Sequence, residues 1–317
     1  MTLFEWGRGP FTAAEAHAEG LTERDLDRMI RTKQIVQLRR GVYVSASALA
    51  AIADDDCRRH ALQVRALQLA FSAPVAAAAF SAARIYGLEF FDPPSDELVV
   101  VSGDLTTSGT HRDGYRLRVA DVPAEHLTTR HGVTLTTPAR TVVDLCAELP
   151  FMAGLVVADS AVRRDLVTVP ELQELAAATF SRRGIIKVRR VFDALDPAAG
   201  SPLESASRAA FLVLGYRTPL TQVEFVIEGR RIIVDFLWFD IDLAGEADGF
   251  AKYKAAAGRD ELAAIRDEKD REQLLLGDGV EVVRWGWKEV RSPELLRRRL
   301  DPAFIRAQER VRGRRGA

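Results

Sequence analysis

At 317 residues the chain exceeds what one hydrophobic core normally organises, and its hydrophobic fraction of 47% keeps it in the folded class, so more than one domain is expected. A formal net charge of -1 excludes a generally basic nucleic-acid coating protein, yet residues 28–40 hold Arg28, Arg31, Lys33, Arg39 and Arg40 with no acid, and Arg297, Arg298, Arg299, Arg306, Arg310, Arg312, Arg314 and Arg315 crowd the last turns. Cys57 and Cys146 form no Cys/His cluster, which excludes a disulfide framework and a zinc site; the absence of a signal-like start or an apolar run of roughly 18 residues gives the expectation of a cytoplasmic protein with no membrane partner.

Residues 1–50 read as a winged helix-turn-helix. Thr12-Ala13-Ala14-Glu15 is a capping box opening a short helix that closes near Gly20, and Thr22-Glu23-Arg24-Asp25 opens a second helix with Leu26, Met29 and Ile30 on one face. Ile35–Leu38 and Val42–Val44 then form two strands around the basic tip Arg39-Arg40-Gly41. Such a unit sets its second helix in a major groove and its wing on phosphates, which makes Arg24, Arg28, Arg31, Lys33, Arg39 and Arg40 the candidate contacts to double-stranded DNA. The competing reading is a small helical subdomain with a solvated charged face.

Residues 51–196 read as a mixed α/β region. Helical pattern runs through 54–90, strands are expected at Leu98–Val101, Tyr115–Val119 and Val133–Thr136, and Thr137-Pro138 opens a helix; further helices are expected near 151–163, 170–179 and 183–194. His111, His126 and His131 are too scattered for a ligand set and read as loop or surface residues.

The turn-rich Asp196–Gly200 marks the start of a last α/β domain, 197–317: a helix over 201–214, strands at 221–228, 231–238 and 241–247, a polar helix over 259–276, a strand at 280–285 and a helix from Pro293. Asp235 sits among Ile232, Ile233, Val234, Phe236, Leu237 and Trp238, where an ionised carboxylate is penalised unless compensated. Glu246 and Asp248 alternate onto one face of a neighbouring strand, Glu204 opens the domain's first helix, and Lys252 follows. Oxygen ligands of this kind suit Mg²⁺ or Mn²⁺, with Asp235, Glu246 and Asp248 on the metal and Glu204, Asp235, Glu246 and Lys252 as a catalytic set for phosphodiester cleavage. Each has a structural alternative: Ser201–Glu204 is itself a capping box, Asp248-Gly249 a common turn, Lys252 part of a solvated run, and Gln222 reads as a strand surface residue.

The pattern of Glu204, Asp235 and Glu246-Ala247-Asp248 resembles the PD-(D/E)XK nuclease superfamily, in particular its branch related to very-short-patch-repair endonucleases, in which a run like Glu268-Lys269-Asp270-Arg271 precedes a helix and a strand like Val282-Val283-Arg284-Trp285. The segments Phe11-Thr12, Gly20-Leu21-Thr22 and Leu38–Val44 resemble the winged-helix domain of AbiEi-type antitoxins of type IV toxin-antitoxin systems, and Thr136–Leu145 is similar to a segment of proteins that join these two ends. The resemblance implies a restriction-endonuclease-like α/β domain at the C-terminus, DNA binding at the N-terminus and, if the site is intact, Mg-dependent endonuclease activity. Asp248 stands where the superfamily usually has lysine, so Lys252 would have to take that role. The alternative is a transcriptional repressor or antitoxin with a cognate toxin, its nuclease-like domain a retired scaffold.

Overall fold

The structure is a computed structural model that describes residues 9–92, 95–103, 111–112, 114–179, 182–248 and 261–315. Packing divides the chain into two compact units, Met1–Glu148 with Leu166–Ser181, and Leu149–Asp165 with Arg182–Ala317. Both mix helices with sheet, so the molecule is an α/β protein.

The first unit opens with β1 (Phe11–Thr12), α1 (Ala13–Ala18), α2 (Glu23–Arg31), β2 (Ile35–Arg39) and β3 (Val42–Ser45). The strands form an antiparallel sheet in the order β1-β3-β2, the layout of a winged helix. Both expected capping boxes are made: Thr12 and Thr22 accept from the amides of Glu15 and Asp25, whose carboxylates accept from the threonine amides in return. Gly41 takes φ 72°, the left-handed conformation that a tight hairpin needs. Phe11, Ala16, Leu26, Ile35 and Tyr43 form the core beneath.

Next come α3 (Ala46–Ala50), α4 (Asp56–Ala70), β4 (Ala76–Ala77), α5 (Ala79–Tyr86), β5 (Leu98–Ser102), β6 (His111–Arg112), β7 (Tyr115–Val119), β8 (Leu127–Arg130), β9 (Val133–Thr136) and α6 (Pro138–Glu148). The strands β4 to β9 make one sheet in the order β6-β7-β5-β4-β9-β8. This corrects the continuous helical pattern expected over 54–90. Pro74 lacks the amide a helix needs, and the small side chains of Ala76 and Ala77 let the chain pass as a buried strand between β5 and β9. The polar strand β8 carries no apolar alternation and escaped sequence reading.

The second unit takes α7 (Phe151–Arg163), while α8 (Val169–Thr179) returns to the first; α9 (Arg182–Phe192), α10 (Pro202–Leu214), β10 (Leu220–Ile227), β11 (Arg230–Trp238), β12 (Leu243–Ala247), α11 (Glu261–Gly277), β13 (Glu281–Trp285), α12 (Trp287–Val290) and α13 (Pro293–Arg315) complete it. Its sheet runs β10-β11-β12-β13, antiparallel through the meander and parallel between β12 and β13. The ring of Phe211 lies 5.3, 5.2 and 5.5 Å from those of Phe236, Trp238 and Trp285. Gly245 is required here, since a Cβ would come within 2.5 Å of the Trp285 ring.

The Asp196–Gly200 turn lies inside this unit. The Asp196 amide donates to the Asp159 carboxylate at 3.0 Å, and Arg208 donates to Asp159 at 3.3 Å and to the Ala194 carbonyl at 2.6 Å. Asp159 is fully buried, so these contacts are what make its burial tolerable.

Candidate nucleic-acid interface and carboxylate cluster

The winged helix turns its cations outward because α2 has only one apolar face. Leu26 is buried, Met29 and Ile30 pack beside it, and Arg24, Arg28 and Arg31 fall on the remaining surface, all exposed. Lys33 and Arg40 are exposed as well. Arg28 is held at 2.5 Å by Asp25, which the Thr22 hydroxyl and amide hold below the usual carboxylate range. Lys33 takes φ 58°, directly after the helix, where glycine or asparagine is preferred. Arg39 differs from the expectation of an exposed wing tip: it is half-buried, its guanidinium 5.7 Å above the Tyr115 ring, and serves packing. Five exposed cations thus share this small unit, a surface suited to phosphate oxygens.

In the second unit Glu204, Asp235 and Glu246 are buried, at 3%, 5% and 1% exposure. Ser201 caps the helix by accepting from the Glu204 amide at 3.2 Å, but the Glu204 carboxylate accepts from the Gly200 amide at 2.7 Å and the Ser201 hydroxyl at 2.9 Å, not from the Ser201 amide that the expected capping box would use. Gln222 corrects the reading of a strand surface residue. Its amide nitrogen donates to Glu204 at 2.8 Å and to Asp235 at 3.2 Å, so its two N–H groups satisfy two carboxylates at once.

That position follows from the register of the hairpin: Thr221 pairs with Phe236 and Val223 with Val234, which sets Gln222, at φ 54°, directly opposite Asp235. Gly200 provides the room, since a Cβ there would stand 3.3 Å from Glu204 and 3.5 Å from the Gln222 amide. The Asp235 carboxylate also accepts from the Ala247 amide at 2.8 Å. Burial first, and the Asp235 charge second, push the Glu204 carboxyl above its usual range.

Glu246 points to a different partner, the Arg271 guanidinium at 2.7 Å, and Arg271 also donates to the Ile233 carbonyl. Asp248, just past β12, meets Arg284 at 3.2 Å, and Arg284 reaches Glu272 at 3.6 Å. The run Glu268–Arg271 lies inside α11 rather than before a helix, which is what turns Arg271 toward Glu246. Lys252 lies outside the described residues.

Hard oxygen donors are present, but their oxygens face a glutamine amide, backbone amides and two guanidinium groups. Among the described residues no group of three or more His, Cys, Asp or Glu side chains is placed to hold a metal ion. The described donors therefore do not fit the Mg²⁺ or Mn²⁺ site expected from the sequence. Their arrangement is that of a buried polar network with its charges offset from within.

Comparison with known proteins locates two family matches. Residues 1–46 match the model described as transcriptional regulator, AbiEi antitoxin, and residues 75–196 match the AbiEi antitoxin C-terminal domain. The chain thus carries the AbiEi antitoxin N-terminal and C-terminal domains. It is also similar to two uncharacterized proteins from two strains of Mycobacterium tuberculosis, each 30% identical over 118 residues, covering 36% of this chain and 43% of the relative. The matched stretch spans less than half the length of those relatives. No described helix is long and apolar enough to cross a membrane.

Proposed function

We propose that this protein is a DNA-binding transcriptional regulator of the antitoxin type, acting with a cognate toxin, and that its C-terminal carboxylate cluster is structural. The observation that carries the reading is that the part matching an AbiEi regulator is a winged helix whose α2 buries one apolar face and presents Arg24, Arg28 and Arg31 outward. Under it, α2 enters the major groove of double-stranded DNA, while Lys33 and Arg40 meet phosphates on either side. Glu204, Asp235 and Glu246 then serve to lock the sheet to α10 and α11, because each accepts from a neighbouring donor.

Fluorescence anisotropy with a duplex from the protein's own promoter, over a salt series, tests this. Wild type should bind with a steep salt dependence, and replacing Arg24, Arg31 and Arg40 by glutamine should lower the slope of log K against log salt by about 2.7. Unchanged binding by the triple variant would overturn the interface. The same preparation incubated with plasmid and linear DNA in Mg²⁺ or Mn²⁺ examines the cluster: cleavage by wild type that Asp235→Ala abolishes would overturn its structural role and restore a metal-dependent nuclease.

A further inference from the structure

The second unit has an exposed apolar groove that neither the winged helix nor the carboxylate cluster uses. It is about 500 Å³ in volume, and its walls are Phe151 of α7, Ile186, Arg189, Arg190 and Asp193 of and just after α9, and Leu212 of α10. Ile186 is 67% exposed and Leu212 41%. Clustered exposed apolar groups rimmed by polar ones mark contact surfaces.

The charge along helix α9 has one sign. Helix α9 exposes Lys187, Arg189 and Arg190 and contains no acid, while Ile185, Val188, Val191 and Phe192 are buried. Arg190 lies 4.4 Å over the Phe151 ring, which fixes a cation at the groove's edge, and Arg189 is exposed. Asp193 is the single acid among the lining residues.

We infer that this groove docks an acidic amphipathic helix of a partner protein, its apolar residues seated between Phe151, Ile186 and Leu212 and its carboxylates on Arg189 and Arg190. Charge complementarity selects the acidic partner. Nucleic acid would engage the arginines as well, but its phosphates leave an apolar floor uncovered, whereas an amphipathic helix covers floor and rim together. Apolar anchors supply the affinity, and the arginines set orientation and exclude basic helices.

The test uses the full chain and a fluorescein-labelled helical peptide of about four turns, with leucines at i, i+4 spacing and glutamates on the flanks. Ile186 and Arg189 are exposed, so Ile186→Asp and Arg189→Glu should keep the melting midpoint of the wild type. The expected result is saturable binding to wild type, weakened at least about tenfold by either change, with no binding of a peptide carrying lysines for glutamates. No binding to wild type would overturn the inference. So would binding that Arg189→Glu removes but Ile186→Asp leaves intact, or that a DNA duplex displaces equally from both, since either outcome describes a charged surface without a docking floor. The Ile186→Asp and Arg189→Glu outcomes do not depend on whether the winged helix reads DNA.

Discussion

Gln222 and Arg271 decide what the buried carboxylates do. Gln222 holds a left-handed backbone at φ 54°, a conformation that costs a side-chain-bearing residue about 1–2 kcal/mol, and in return spreads one amide over Glu204 and Asp235. Arg271 is the counter-ion of Glu246. Removing one member of such a pair leaves the other buried and uncompensated, so Arg271→Met should cost about 3–5 kcal/mol of unfolding free energy. Adding Glu246→Gln should recover most of that loss, because the stranded charge is gone; a denaturant double-mutant cycle reads the coupling, and additive losses would show that the two side chains do not act as a pair. The sequence made Asp235, Glu246 and Glu204 visible as acids among apolar neighbours. It could not show Gln222 as their donor, since that role comes from the β10/β11 register, which sets Gln222 opposite Asp235. Arg271 was within reach of the resemblance, but its partner was visible only once α11 was laid against the sheet.

At the level of elements, local chemistry was the most legible part. Thr12 and Thr22 form the capping boxes expected of them, and Ser201 caps its helix through its hydroxyl alone, because such caps need only residues three apart. The α4/α5 pair was less legible: an alanine-rich stretch satisfies helix propensity, and only pairing with β5 and β9 makes it a strand. Helix α2 has nine residues and little intrinsic stability, so its cap matters for the presentation of Arg24, Arg28 and Arg31. Thr22→Ala should lower stability by about 1 kcal/mol. It should also weaken DNA binding by more than the change in charge predicts, since no charge is altered. Denaturation and anisotropy on the same sample check both, and an unchanged midpoint would remove the cap from this account.

On the scale of the whole molecule, the two units carry buried titrating groups of opposite sign. In the first, burial and then the Arg84 charge bring His60 down to about 4, with Ser81 at 3.0 Å from its Nε2. The unfolded chain therefore binds more protons between pH 6.5 and 4, and stability held above that window is lost as pH falls through it, by about 3 kcal/mol for this group. In the second, burial raises Asp159 to about 6 against the pull of the Asp196 amide and Arg208. Here the folded state binds the extra proton, so stability falls as pH rises from about 4 to 6. Amide hydrogen exchange across that range should show protection near His60 falling in acid and protection near Asp159 rising, and His60→Gln should abolish only the first trend. By itself the sequence determined the winged helix, its caps, the exposed cations of α2 and the order of the last α/β elements, because these depend on short spacings and on periodicity. Tertiary structure alone decided that 149–165 packs with the second unit, that Asp159 is buried against Arg208, and that the acids singled out in the sequence face a glutamine amide and two arginines. Those facts rest on contacts between residues far apart in the chain, and a linear pattern carries no distance across a fold.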